Sequence, residues 1–147
     1  MENADIRTLA AANYNECWRL LELPERSEDD DVELLTSAFA SRRLWREVGG
    51  TEQAIVAEWM VSRALSATGH GALAVTFARR AVSASQDPSS ADWLVASCVE
   101  GLARAQFAAG DVSEARASRA RAAVLVAAIV DPEDRDIIAE QLAQLDD

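Results

Sequence analysis

Hydrophobic residues recur at three- and four-residue spacing along almost the whole chain, and no segment alternates apolar and polar as a half-buried strand would. The first run covers about residues 5–23, with Ile6, Leu9, Ala10, Cys17, Leu20 and Leu21 on one face and Pro24 at its end. Ser27 caps a second helix whose first turn is acidic, and Val32, Leu35, Ala38, Phe39 and Trp45 form its predicted inner face. Gly49-Gly50 is expected to stop it in a left-handed C-cap. Thr51 is expected to cap the third, which carries Ala54, Ala57, Val61, Ala64 and Leu65 and closes at Gly69. The fourth spans about residues 71–85 with Ala74, Phe77, Ala78 and Ala81 inward. After the Asp87-Pro88-Ser89-Ser90 break, Ser89 and Asp92 read as a capping box for a fifth helix bearing Ala96, Val99, Leu102, Ala103 and Phe107, ended by Gly110. Asp111 and Glu114 cap a sixth, with Ala115, Ser118, Ala122, Leu125 and Ile129 inward. Asp131-Pro132 opens a seventh, with Ile138, Leu142 and Leu145. Links this short make neighbouring helices antiparallel.

Composition supports this all-α reading. The 147 residues include thirty alanines, six glycines and three prolines, and only 5% are aromatic. Such a mix favours helix over sandwich or barrel, at a length suited to one domain. The expected division is an N-terminal hairpin over 1–50, repeat hairpins over 51–86 and 90–130, and a capping helix over 131–147.

Charge narrows the chemistry. The net charge is −11, and all fourteen basic residues are arginine. Without lysine there is no Schiff-base catalysis and no P-loop. With one histidine there is no two-His zinc motif. So acidic a balance opposes nucleic-acid binding. Cys17 and Cys98 lie far apart in apolar helical contexts and read as reduced core residues. The N-terminus is acidic without an apolar run, and the longest uncharged apolar stretch, Ala122–Val130, is about half a membrane span. The expectation is a soluble cytoplasmic protein, not membrane-bound, with no cofactor and no metal.

An internal repeat appears at an offset of 41. It takes Arg63 to Arg104, Ala64 to Ala105, Gly69 to Gly110, Ala74 to Ala115, Arg80 to Arg121 and Ala81 to Ala122. Each glycine ends the first helix of a hairpin, and the alanines allow close backbone approach across it. With Phe77, Ala78, Leu102 and Ala103, these residues resemble the tetratricopeptide repeat. That repeat is about 34 residues long, so this one is longer by about two helical turns, which keeps the same faces packed. The chain departs from the pattern at Arg119, where the second-helix aromatic would stand, and has no closing Pro. The N-terminal part, with Cys17-Trp18, Glu33-Leu34-Leu35 and Trp45, looks like a group of uncharacterised bacterial repeat proteins, which implies no activity.

The resemblance implies a right-handed stack of hairpins whose first helices line a concave groove. Val56, Trp59, Arg63 and Ser66 would face it in one repeat, and Ser97, Glu100, Arg104 and Phe107 in the next. Arg63 and Arg104 would stand side by side, with Arg42 extending the row. Arginines beside Trp59 and Phe107 suit a peptide carrying carboxylates. The family's carboxylate clamp uses Lys and Asn, which are not matched here. The competing reading is internal pairing: Glu100 with Arg104 at i,i+4, Glu58 near Arg63, and Arg63 stacked on Trp59. This second reading is favoured.

Other features read blandly. His70 has no adjacent nucleophile or orienting acid, so it is a solvent-exposed turn residue. Glu28 to Asp31 are helix-start acids, not a calcium loop. Trp18 and Trp45 read as packing anchors between the first two helices. The Ala122–Val130 run is either sandwiched by the fifth and seventh helices, the favoured alternative, or part of a dimer seam. The expected function is a protein- or peptide-binding adaptor of unidentified partner, not an enzyme. The alternative is a homo-oligomerisation module with a self-filled groove, and a small-ligand sensor ranks below both.

Overall fold

The computed structural model describes residues 1–145. Among them are seven α-helices and no strand. They are α1 (Asn3–Leu21), α2 (Glu28–Val48), α3 (Thr51–Ala67), α4 (Gly71–Ser85), α5 (Asp92–Ala109), α6 (Val112–Ala127) and α7 (Pro132–Ala143). Each packs against its chain neighbour, and α1, α3 and α5 each also pack against the next odd helix. The helices α2, α4 and α6 pack only against their chain neighbours. The result is two layers: a continuous row of odd helices, backed by even helices set between them.

The hairpin repeat is visible in backbone hydrogen bonds. Gly69 and Gly110 adopt φ of +84° and +82°. The His70 amide donates to Leu65 O at 2.9 Å, and the Asp111 amide to Gln106 O at 2.9 Å. Ala74 to His70 and Ala115 to Asp111, also 2.9 Å each, repeat the same offset one turn later. Ala64, Ala74 and Ala81 and their counterparts Ala105, Ala115 and Ala122 are all fully buried. A small side chain at these six positions lets the helices of each hairpin close up.

Caps follow local chemistry, with four departures from expectation. Ser27 and Asp30 form the capping box of α2, and Asp131 accepts from the Glu133 and Asp134 amides at 2.8 and 3.1 Å. Gly49 is extended, not left-handed (φ −84°). Glycine is needed there for space: a Cβ would come within 2.7 Å of Trp45 O. Thr51 is the first residue inside α3; the cap is Gly50, whose amide donates to Gln53 Oε1 at 3.0 Å. Ser89 and Asp92 form no box. Ser89 folds back on Asp87, while Asp92 Oδ2 accepts from the Val130 amide at 3.0 Å and ties α5 to the α6–α7 connection. Asp111 stands at the N-cap of α6 without a side-chain cap bond.

The main core runs continuously through α1 to α5 and includes Leu20, Leu34, Ile55, Met60, Val61 and Leu65. A second cluster of Ala96, Val126, Ile129 and Ile138 joins α5, α6 and α7. The Ala122–Val130 run buries one face, Ala122, Val126 and Ile129, the last two packed with Ala96 of α5 and Ile138 of α7, while Val124 and Val130 are exposed. The buried face of α2 is Leu34, Ser37, Ala38, Ser41 and Val48, whereas Val32 and Phe39 are exposed. Two serines hold part of this seam, which a hydrophobicity pattern passes over; Ser41 Oγ donates to Ala10 O at 3.3 Å. Trp18 reaches past α2 to Trp59 on α3. Both cysteines are free and buried, and burial pushes their thiols up to about 12.

Candidate binding groove

The exposed side of the odd-helix row is built from stripes at helical spacing. Helix α1 contributes Tyr14, Trp18 and Leu21, and α3 contributes Val56, Trp59, Arg63 and Ser66. Helix α5 contributes Trp93, Ser97, Arg104 and Ala108, and α7 contributes Asp134, Ile137, Ile138 and Gln141. Two cavities follow one another along this surface.

The first is a cleft of about 300 Å³, largely apolar, bounded by Tyr14, Trp18, Val56, Trp59, Trp93, Leu94, Ile137 and Ile138. Three of the chain's four tryptophans and its only tyrosine therefore meet at one place. Trp59 is fixed there by α5. Its indole N–H donates to Ser97 O at 3.0 Å, and its ring lies against Gly101, where a Cβ would come within 2.8 Å of Cδ1. Trp18 tilts against Trp59 at 5.8 Å between centroids. The Arg63 guanidinium lies over both rings, 5.3 Å from Trp18 and 5.8 Å from Trp59. This cation–π stack stands between the cleft and the second cavity.

The second cavity, about 230 Å³, is lined by Leu21, Arg26, Arg63, Ser66, Ala67, Arg104 and Ala108. Arg104 donates from Nε and Nη2 to Glu100 Oε1 at 3.1 and 2.7 Å, and from Nη2 to Gln141 O at 3.1 Å. Glu100 is fully buried, and its Oε2 has no hydrogen-bond partner. Burial, and then the nearby Arg104 charge, lower the Arg63 guanidinium to about 10, while Glu100 and Tyr14 pull it the other way.

The structure thus brings together Trp59, Arg63, Glu100 and Arg104. It supplies both the Arg63 stack on Trp59 and the Glu100–Arg104 pair. Glu58 forms its ion pairs with Arg42 at 3.0 Å and Arg80 at 3.3 Å, not with Arg63. Arg42 also stacks on Phe77 at 5.5 Å, so it links α2, α3 and α4 and lines neither groove cavity. Phe107 lies under Arg119 of α6 at 5.3 Å and likewise lines neither. Tyr14, Trp18, Trp93 and Ile137 line the cleft without being marked for the groove by the sequence pattern. Tyr14 and Trp18 are four apart on a first helix, and that spacing was the available signal. His70 is exposed, 3.1 Å from Thr68 Oγ1.

Among the described residues no three His, Cys, Asp or Glu side chains are placed to hold a metal ion, and no helix is long and apolar enough to cross a membrane. No protein-family model, no curated protein and no solved structure matches the chain.

Proposed function

We propose that the protein is a peptide- or protein-binding adaptor of the tetratricopeptide-repeat type, working through the surface of α1, α3, α5 and α7. The observation that carries this reading is the aromatic cleft. Apolar clefts of this size, with few polar groups at the rim, suit one or two inserted hydrophobic side chains. Rigid Trp and Tyr rings supply contact area at low entropic cost, the property that makes them interface anchors. Ser97, Asp134 and Gln141 provide the polar edge. The role is one of binding, and no chemical step is assigned to the chain.

Selection of a displayed random-peptide library on the purified protein tests it. Peptides with a recurrent hydrophobic residue are expected to enrich. Enrichment should disappear on an Ile137→Asp variant, which charges the cleft wall at a half-exposed position (53%). No enrichment on folded protein, or equal enrichment on the variant, would overturn the proposal.

A further inference from the structure

We infer that the second cavity is an oxyanion site, taking a single carboxylate or phosphate group between Arg63 and Arg104, with Ser66 as a third donor. Three arginines, Arg26, Arg63 and Arg104, line this cavity, and no carboxylate is among its lining residues. Two of the three are already neutralised. Arg26 pairs with Asp31 at 2.8 Å, and Arg104 with Glu100 at 2.7 Å. Arg63 has no carboxylate at ion-pair distance among the described residues, so one positive charge is left over.

Unused donors point the same way. Arg63 Nη1 and Ser66 Oγ are both buried and both without a hydrogen-bond partner. They come from residues three apart on one face of α3, and both residues line this cavity. Buried donors are nearly always satisfied, so two on neighbouring residues of one cavity lining call for an acceptor. An oxyanion meets the requirement. It offers several lone pairs, matches the planar fork of a guanidinium, and offsets the repulsion between Arg63 and Arg104. The site rests on these side chains alone and does not depend on a peptide entering the aromatic cleft.

The Arg63 stack gives a direct readout. An anion drawing Arg63 toward the cavity changes its contact with Trp18 and Trp59, and hence the tryptophan fluorescence. The experiment titrates the full chain with inorganic phosphate and, separately, with acetate, at ionic strength held constant with chloride. The expected result is a saturable fluorescence change with at least one of the two; the stronger ligand identifies the group. Arg63→Met keeps the stem over the rings but removes the donors, and should weaken binding at least about tenfold. Ser66→Ala, which removes only an unpartnered hydroxyl and should leave folding intact, is expected to weaken it several-fold. Absence of a saturable response to both anions in the wild-type protein would overturn the inference. So would an unchanged titration in both variants.

Discussion

Two glycines two positions apart do different work. Gly69 holds φ at +84° with open space where a Cβ would stand. A side chain there meets only left-handed strain, about 1–2 kcal/mol. Gly71 has an ordinary helical backbone, yet a Cβ on it would lie 2.4 Å from Ala109 N and 2.5 Å from Ala108 O. That overlap is with backbone at the end of α5, and no rotamer change relieves it. Gly71→Ala should therefore destabilise by about 3 kcal/mol, the upper part of the overpacking range. Gly69→Ala should cost about 1 kcal/mol. Urea unfolding of the two variants measures the difference, and a larger loss at Gly69 would contradict the placement of α4 on α5. The first glycine is readable in sequence as a helix stop. The second is not, because its constraint comes from a helix 37 positions further on. Glu100 and Arg104 are readable as an i,i+4 pair; the complete burial of Glu100 is not, since it depends on packing by other helices.

At the scale of elements, the seven helices follow directly from apolar spacing, Pro24, Gly69, Gly110 and Asp131-Pro132. Inner faces are harder to read where small or polar residues form the seam. In α2 the apolar pattern points to Val32 and Phe39, while the chain buries Ser37 and Ser41. In α3 eight of seventeen residues are buried and six more are only partly exposed, so apolar spacing does not single out one inner face. Of the residues expected to face the groove, Val56, Trp59, Arg63 and Ser66 on α3 line the two cavities, but on α5 only Ser97 and Arg104 do. The stripe is not marked on α1 and α7, which the repeat does not cover. Helix α7 depends most on its own cap, because it packs only against α5 and α6 and buries a single residue, Ile138. Asp131→Ala removes the acceptor of two first-turn amides and should cost about 1 kcal/mol. Hydrogen exchange should show that loss first in the amides of α7. Uniform acceleration across α1 to α5 would contradict the view that α7 opens on its own.

Over the whole molecule, the acidity separates into two roles. Acids stand at the caps or in the first turns of six of the seven helices, from Asp5 in α1 to Glu133 and Asp134 in α7. They complement helix dipoles and so report on the fold. The arginines do not mirror them: Arg19 and Arg46 lie in last turns, while Arg79 and Arg80 do not. What remains is a surface sorted by layer. Arg42 and Arg80 bind the back of the stack through Glu58, and Arg63 and Arg104 occupy the row of odd helices together with Tyr14, Trp18, Trp59 and Trp93. We propose that this is one binding face, with an apolar cleft at one end and guanidiniums at the other. Its most direct test is the indole N–H region of the NMR spectrum during titration with a library-selected peptide. Four indole signals report four places. Trp18, Trp59 and Trp93 line the cleft, and Trp45 on α2 lies outside it. The first three signals are expected to shift on binding while Trp45 stays in place. A shift confined to Trp45, or none at Trp18, Trp59 and Trp93 with bound peptide, would contradict it.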